Sequence, residues 1–303
     1  MSAQYIEAVY GHPPLELATV GDAALQVSPL IPGAQLLESV PPLNGLTILA
    51  PSGTIERRYA MALALRALVP GAALTVLAPK DRGGARLGDE LRGFGCAVSE
   101  ISKRHHRICT AQRPAEPLNL DAAIRDGAPR LDGSLGLWTQ PGIFSWNRID
   151  PGSALLMRHL PSLGGQGADL GCGLGILAHA VLASPKVTAL HLIDLDRRAV
   201  EAARRNVADA RAQFHWADVL RDDSLAGGLD FIVMNPPFHQ SGSEDQTLGQ
   251  RFIARAASLL RKGGTCWLTA NRHLPYEAVL KPLFKRVAPL ADVGGYKIFE
   301  AQK

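Results

Sequence analysis

Ala168-Asp169-Leu170-Gly171-Cys172-Gly173-Leu174-Gly175 decides the fold. A short apolar strand ends in glycines at alternate positions and runs into a helix over Ile176 to Ala183. Such glycines let the backbone turn tightly and let a ligand approach it closely. The helix behind them presents its free N–H groups at the turn. The spacing is Gly-x-Gly-x-Gly, not the Gly-x-Gly-x-x-Gly of dinucleotide folds, and no Gly-Lys-Ser/Thr follows. Asp169 precedes the first glycine by two residues; a carboxylate there would repel a pyrophosphate and welcome the ammonium of an amino-acid moiety.

Reading outward, three more strands end in polar residues. Val187 to Ile193 is a strand closed by Asp194, 19 residues after Gly175. A carboxylate at the end of a second strand can take the two hydroxyls of a ribose; Asp196 competes for that role, and the strand end favours Asp194. After Gln213-Phe214-His215-Trp216-Ala217 comes Asp218, placed to accept from an adenine amino group. The apolar run Leu229 to Val233 leads into Met234-Asn235-Pro236-Pro237-Phe238-His239. Two prolines remove consecutive backbone donors and fix φ, so the chain leaves the sheet stiffly. Their carbonyls and the Asn235 side chain can converge on one ligand, and Phe238 offers it a flat face. That combination suits a nitrogen on a planar amide or nucleobase, held for alkylation. Singly, each acid reads as a solvated loop charge and Asn-Pro-Pro-Phe as a rigid turn. Four consecutive strand ends bearing Asp, Asp, Asp and Asn-Pro-Pro-Phe make coincidence a poor account, because open α/β sheets bind ligands at those ends.

With these residues in place, residues 137–303 closely resemble the class I S-adenosylmethionine-dependent methyltransferases, and residues 1–130 do so in outline. The narrower resemblance is to the ribosomal RNA guanine-N2 methyltransferases of the RsmC/RlmG type. It rests on Pro141-Gly142-Ile143-Phe144-Ser145, Asp150-Pro151-Gly152-Ser153-Ala154-Leu155-Leu156, Asn235-Pro236-Pro237-Phe238-His239 and Ala270-Asn271-Arg272-His273-Leu274-Pro275-Tyr276. The family usually has valine after the aspartate and a glycine; Pro151 and some intervening residues depart from that pattern.

The resemblance implies two tandem Rossmann-like methyltransferase domains. The first, 1–130, is degenerate; the second, 131–303, is catalytic, with a seven-stranded, mostly parallel, doubly wound sheet. It implies S-adenosylmethionine as cofactor, held by Asp169, Gly171, Gly173, Gly175, Asp194, Asp218, Asn235 and Phe144. The catalytic residues would be Asn235, Pro236 and Phe238. The substrate, a guanine of ribosomal RNA (16S in preference to 23S) or of the small ribosomal subunit, would meet Pro237, Phe238, His239 and Asn271. Some roles stay open. Phe144 and Ser145 either cover the cofactor or base or plug the space between domains. Asn271 either lines the base pocket or caps a turn, and His239 is either a general base or a loop-shaping residue.

Composition agrees with a soluble two-domain enzyme. A chain of 303 residues, 47% hydrophobic, has material for two cores. No apolar run reaches the ~18 residues of a membrane helix. The start, Met1-Ser2-Ala3-Gln4-Tyr5, lacks a basic segment followed by an apolar one, so a cytoplasmic protein is expected. The four cysteines, Cys96, Cys109, Cys172 and Cys266, have no metal-ligand spacing and read as reduced thiols. No metal is expected, Cys172 reads as packing, and the chain is expected to be a monomer. Residues 1–136 carry 13 basic and 13 acidic side chains, so the whole excess of +4 lies in the second half. A pI near 9.0 fits nucleic-acid contact without demanding it. Lys103-Arg104-His105-His106-Arg107, and Arg82 with Arg86, are either phosphate contacts or solvated basic faces. Arg197, Arg198, Arg204 and Arg205 read as the exposed face of the helix after Asp194. Trp138, Trp146, Trp216 and Trp267 show no pattern beyond core or interface.

The first half repeats the scaffold without the chemistry. Leu46 to Ala50 is a strand, Pro51-Ser52-Gly53 a turn, Glu56 to Val69 a helix ended by Pro70-Gly71, and Leu74 to Leu77 a second strand. Pro51-Ser52-Gly53 stands where the glycine loop would be, and Pro79 falls near the place of Asp194. Three rivals remain. N6-adenine and glutamine-N5 methyltransferases share the Asn/Asp-Pro-Pro-aromatic ending, but Phe238 in place of tyrosine and the α/β reading of residues 45–80 count against them. A catalytically silent RNA-binding assembly factor would not need intact Asp169, Asp194, Asp218 and Asn235. A nicotinamide-dependent reductase has the wrong glycine spacing.

Overall fold

The computed structural model describes residues 5–221, 225–237, 239–240, 243–244 and 246–303. It divides into two compact α/β units, Met1–Ala128 and Pro129–Lys303.

The first unit contains β1 (Glu7–Tyr10), β2 (Leu25–Gln26), β3 (Leu43–Leu49), α1 (Thr54–Ala67), β4 (Leu68–Pro79), α2 (Leu87–Gly93), β5 (Val98–Lys103), β6 (His106–Gln112) and α3 (Leu120–Gly127). Its six strands lie in the order β2-β1-β3-β4-β6-β5, parallel as far as β4 and antiparallel beyond. One apolar core joins α1 to the sheet through residues such as Met61, Leu65, Ile48 and Val76. The helix stops at Ala67, ahead of the Val69 end that Pro70-Gly71 suggests, because the chain turns extended at Leu68 and enters β4 there. Pro70-Gly71 lies inside that strand, whose register with β3 jumps from Leu43↔Leu68 to Gly45↔Ala73 to absorb the pair.

The second unit contains β7 (Arg130–Asp132), β8 (Leu137–Thr139), α4 (Pro151–His159), β9 (Gly165–Leu170), α5 (Ile176–Leu182), β10 (Val187–Asp194), α6 (Arg197–Asn206), β11 (Ala212–Trp216), β12 (Leu229–Met234), β13 (His239–Gln240), β14 (Ser243–Glu244), α7 (Gln246–Leu259), β15 (Leu260–Asn271), α8 (Tyr276–Leu283), β16 (Arg286–Val293) and β17 (Tyr296–Gln302). Seven strands form one sheet in the order β11-β10-β9-β12-β15-β17-β16. The first five are parallel; β17 is antiparallel to both its neighbours. This is the mostly parallel, doubly wound sheet expected from the sequence.

Continuous apolar strands are what a sheet covered on both faces requires. Successive residues of β12 divide accordingly. Phe231 and Val233 pack with Leu155, Leu156, Leu177 and Val181 of α4 and α5, while Ile232 and Met234 pack with Ile253 of α7 and Leu280 of α8. The Phe231 ring covers Gly167 of β9, where a Cβ would come within 2.2 Å of it. Burying such a ring contributes about 1.5–3 kcal/mol, so a larger residue at Gly167 would cost both packing and register.

The chain runs from β9 to β10 on one side and reaches β12 on the other. The crevice between the carboxyl ends of β9 and β12 is therefore the switch point of the sheet, where doubly wound folds place their ligands.

Candidate active site

The turn after β9 is built to be left-handed. Gly171, Gly173 and Gly175 have φ of +79°, +53° and +78°, a region costly to residues with a Cβ. Gly175 caps α5 and is also packed close: a Cβ there would meet Val207 Cγ2 at 2.9 Å. Around Gly173 no atom of the described residues beyond its chain neighbours lies within 4 Å of such a Cβ, so its backbone is open to close approach. The loop is pinned to the end of β10. The N–H groups of Gly171 and Cys172 donate to the Ile193 carbonyl at 2.9 and 3.0 Å. The Gly173 N–H donates to Asp194 Oδ2 at 2.9 Å, and the Asp196 N–H donates to Asp194 Oδ1 at 2.9 Å. Asp194 thus shapes the loop, and each of its oxygens keeps a lone pair for a further donor. Asp196 acts elsewhere, capping α6 and holding Arg198.

Asp169 is wholly buried, and neither of its oxygens has a hydrogen-bond partner among the described residues. Burial, reinforced by the nearby Asp194 charge, pushes its carboxyl up to about 8. Burial likewise pushes Asp194 up to about 6, against the backbone N–H bonds that favour its charged form. A buried carboxylate without a partner is expensive; a cation from a ligand would supply what the fold withholds. The same surroundings, burial first and then Asp194 and Asp169, push the Cys172 thiol well up, which suits packing and not nucleophilic chemistry. All four cysteines are buried and unpaired by disulfides.

Asp218 lies two residues past the end of β11, whose Trp216 pairs with Asp194. It turns its own loop by accepting from the Leu220 N–H at 3.0 Å, and Arg221 stands 3.5 Å away. Across the switch point, Val233 pairs with Asp169, so Asn235 emerges beside the acid one strand over. The Asn235 Nδ2 donates to Asp150 Oδ2 and to Ser153 Oγ, both at 2.9 Å. Its two protons are thereby used, leaving Oδ1 as an acceptor. Pro236 is buried and Pro237 half-buried. Phe238 lies outside the described residues, and of His239 only the backbone, in β13, is described. Asn271 closes β15, its carbonyl accepting from the Leu274 N–H at 2.9 Å. Its backbone therefore closes a turn at the same end of the sheet.

Phe144 sits on a loop fixed by its neighbours. Ile143 is buried with Leu174 of the glycine turn and Ala199 and Ala202 of α6, and the Phe144 ring is 57% exposed. The tryptophans acquire a pattern that the sequence did not show. Arg205 lies over Trp138 at 4.5 Å, Arg130 over Trp146 at 5.2 Å and Arg197 over Trp216 at 5.2 Å. The arginines around α6 are therefore not one solvated face: Arg197, Arg204 and Arg205 cover rings, and Arg198 turns inward to Asp196. In the first unit, Arg104 and His105 form the tight turn between β5 and β6 with positive φ, and Arg104 pairs with Glu16 at 2.7 Å. Among the described residues no cluster of histidine, cysteine, aspartate or glutamate could hold a metal ion, and no helix is long and apolar enough to cross a membrane.

Residues 134–300 match the model of the methyltransferase small domain family. A ribosomal RNA small subunit methyltransferase C of Pseudomonas paraeruginosa is 35% identical over 246 residues, covering 79% of this chain and 73% of the relative. The protein of the same name from Shewanella loihica is 29% identical over 276 residues, 88% of this chain and 79% of the relative. Among solved structures, the T. thermophilus 16S ribosomal RNA N2 guanine methyltransferase RsmC, determined with AdoMet and guanosine, superposes with a TM-score of 0.76. That match is 24% identical and covers 100% of this chain and 89% of the other, and it shows a shared fold. The chain belongs to the methyltransferase small domain family, and within it to the ribosomal RNA small subunit methyltransferases C.

Proposed function

We propose that this enzyme transfers a methyl group from S-adenosylmethionine to the exocyclic N2 amine of a guanine in 16S ribosomal RNA, with the small subunit or its RNA as substrate. The observation that carries the reading is the pairing, across the β9/β12 crevice, of an unpartnered buried carboxylate with an asparagine that can only accept. Asp169 fits the ammonium of the methionine moiety, Asp194 the ribose hydroxyls and Asp218 the adenine amine, with the open backbone at Gly173 beside them. When bound, S-adenosylmethionine supplies a methyl already activated for displacement.

The protein itself must hold a poor nucleophile in line, about 3 Å from that methyl. The two N–H groups of the guanine amine donate to Asn235 Oδ1 and to the Pro236 carbonyl, which draws the nitrogen towards tetrahedral geometry and aims its lone pair. Positive charge developing on that nitrogen during transfer would fall between these two acceptors. Both acceptors then bind it more strongly, a stabilisation selective for the transition state. The extra proton passes to water. The base must be unpaired or flipped to reach these acceptors. The first unit, without this constellation, serves recognition or stability.

The test supplies tritiated methyl donor with 16S RNA, small subunits, 23S RNA and a glutamine-bearing release factor in separate reactions. Label is expected in 16S RNA as N2-methylguanosine, and label confined to protein or to adenine would overturn the reading.

A further inference from the structure

The Asp150-Pro151-Gly152-Ser153 stretch carries part of the family resemblance but lies outside the four strand ends that form the site. Asp150 is the N-cap of α4, accepting the Ser153 N–H at 2.8 Å, with Pro151 in the first turn. A cap explains that bond only. The same oxygen, Oδ2, also accepts from Asn235 Nδ2, and Ser153 Oγ accepts the other Nδ2 proton. Both partners are themselves buried, at 9% and 8% exposure. The Tyr296 ring lies against Gly152, where a Cβ would come within 2.7 Å of it, so α4 starts at a fixed depth. The tie spans 85 residues of sequence and joins the start of α4 to the end of β12.

An amide has two near-isosteric faces, a carbonyl and an NH2, and its orientation is set by its neighbours. A carboxylate accepts and never donates, so Asp150 fixes which face of Asn235 is turned away. We infer that Asp150, with Ser153, is a positioning pair that locks Asn235 with Oδ1 towards the substrate and so makes the site select an N–H-bearing acceptor over a carbonyl. This rests on Asn235 receiving the reacting amine, as proposed above.

Asp150→Ser keeps a helix cap but shortens the side chain so that it no longer reaches Asn235. Expected is a fall in kcat of about 10–100-fold on small subunits lacking the modification, the usual range for lost orientation of a reacting group. S-adenosylmethionine affinity by calorimetry should stay within about twofold and Tm within a few degrees. Asp150→Asn, which can still accept both N–H groups, should recover all but about fivefold of the rate, and Ser153→Ala, which leaves the cap intact, should lose about fivefold. In the Asn235→Ala background, Asp150→Ser should cost nothing further, because it acts through Asn235. A wild-type kcat in both Asp150→Ser and Ser153→Ala overturns the positioning role, as does a full further loss in the double variant. Wild-type turnover in Asn235→Ala alone would instead overturn the site on which the inference rests.

Discussion

The two units build the same strand–turn–helix–strand passage and treat a buried ionisable group in opposite ways. In the first, β3 leads through Pro51-Ser52-Gly53 into α1, and Arg57 of that helix is 1% exposed. Its guanidinium is saturated: Nε and Nη2 donate to Glu90 at 2.7 and 2.6 Å, and Nη1 donates to the Ser52 carbonyl at 2.8 Å. The group fills the space beneath the turn, so that a Cβ on Gly83 would come within 2.1 Å of it. In the second, β9 leads through the three glycines into α5, and the buried ionisable group is Asp169, with no partner among the described residues. A buried ion is tolerated when it is paired or when a ligand will pair it. The first turn is closed by its own side chains; the second keeps its electrostatic demand for a ligand.

The largest effect that separates the two belongs to the paired charge. Glu90→Ala leaves Arg57 buried without a counter-ion and should cost about 3–5 kcal/mol of unfolding free energy. Denaturant titration measures it, and Arg57→Met combined with Glu90→Leu should restore most of the loss. Cofactor affinity should not move by more than about twofold, since additivity holds for sites without shared partners. If Glu90→Ala weakened S-adenosylmethionine binding as much as is expected of Asp169→Asn, the contrast between the units would fail.

Asp169→Asn should act conversely. Loss of a charge-assisted bond at a buried site should raise the Kd for S-adenosylmethionine about 100-fold, or about 2.7 kcal/mol. The pH response sharpens this. The folded-state carboxyl stands at about 8 against an ordinary 3.8, so folding favours its protonated form. Its contribution to stability is complete below about pH 4 and is lost as pH rises to about 8, with Asp194, at about 6, adding to the lower part of that window. The ligand-free protein should therefore lose Tm across that range, and Asp169→Asn should flatten the loss. Cofactor binding runs the other way, because an ammonium needs the ionised acid. Affinity should climb by up to about tenfold per pH unit up to about pH 8 and level off there, and this climb should vanish in Asp169→Asn.

Much of this site was legible before the fold was known. Alternating glycines, apolar strands of a buried sheet and the two prolines after Asn235 are local signals, and they placed Asp169, Asp194, Asp218 and Asn235 at strand ends. What was not legible is set by distance in sequence. Nothing near Arg57 distinguishes it from Arg58, a solvated-looking neighbour; its partner is 33 residues away. Asp150 entered only as part of a resemblance, and its bond to Asn235 exists only once β12 lies beside α4. The tryptophans gave no periodicity because their arginine partners come from β7 and from α6. Pro70-Gly71 suggested a helix end two residues late and hid the strand that runs through the pair from Leu68, since a register shift can absorb residues that propensity alone would leave in a loop.

The smallest test compares the turns themselves by making one substitution in both. Gly53 caps α1 with φ of −67°, in the extended region open to any residue, and a Cβ there would meet nothing closer than Glu56 Oε2 at 3.4 Å. Gly53→Ser adds an oxygen able to accept a first-turn N–H and should stabilise by a few tenths of a kcal/mol. Gly173 has room for a Cβ, so the cost there is conformational and not steric: at φ of +53°, serine should destabilise by about 1–2 kcal/mol. It should also raise the cofactor Kd severalfold, because the backbone there must admit a ligand. Equal and small effects in both turns would show that the second turn is not held for close approach. Opposite signs, read by denaturant titration of the two single variants, would place the distinction between the units in the backbone as well as in the buried charge.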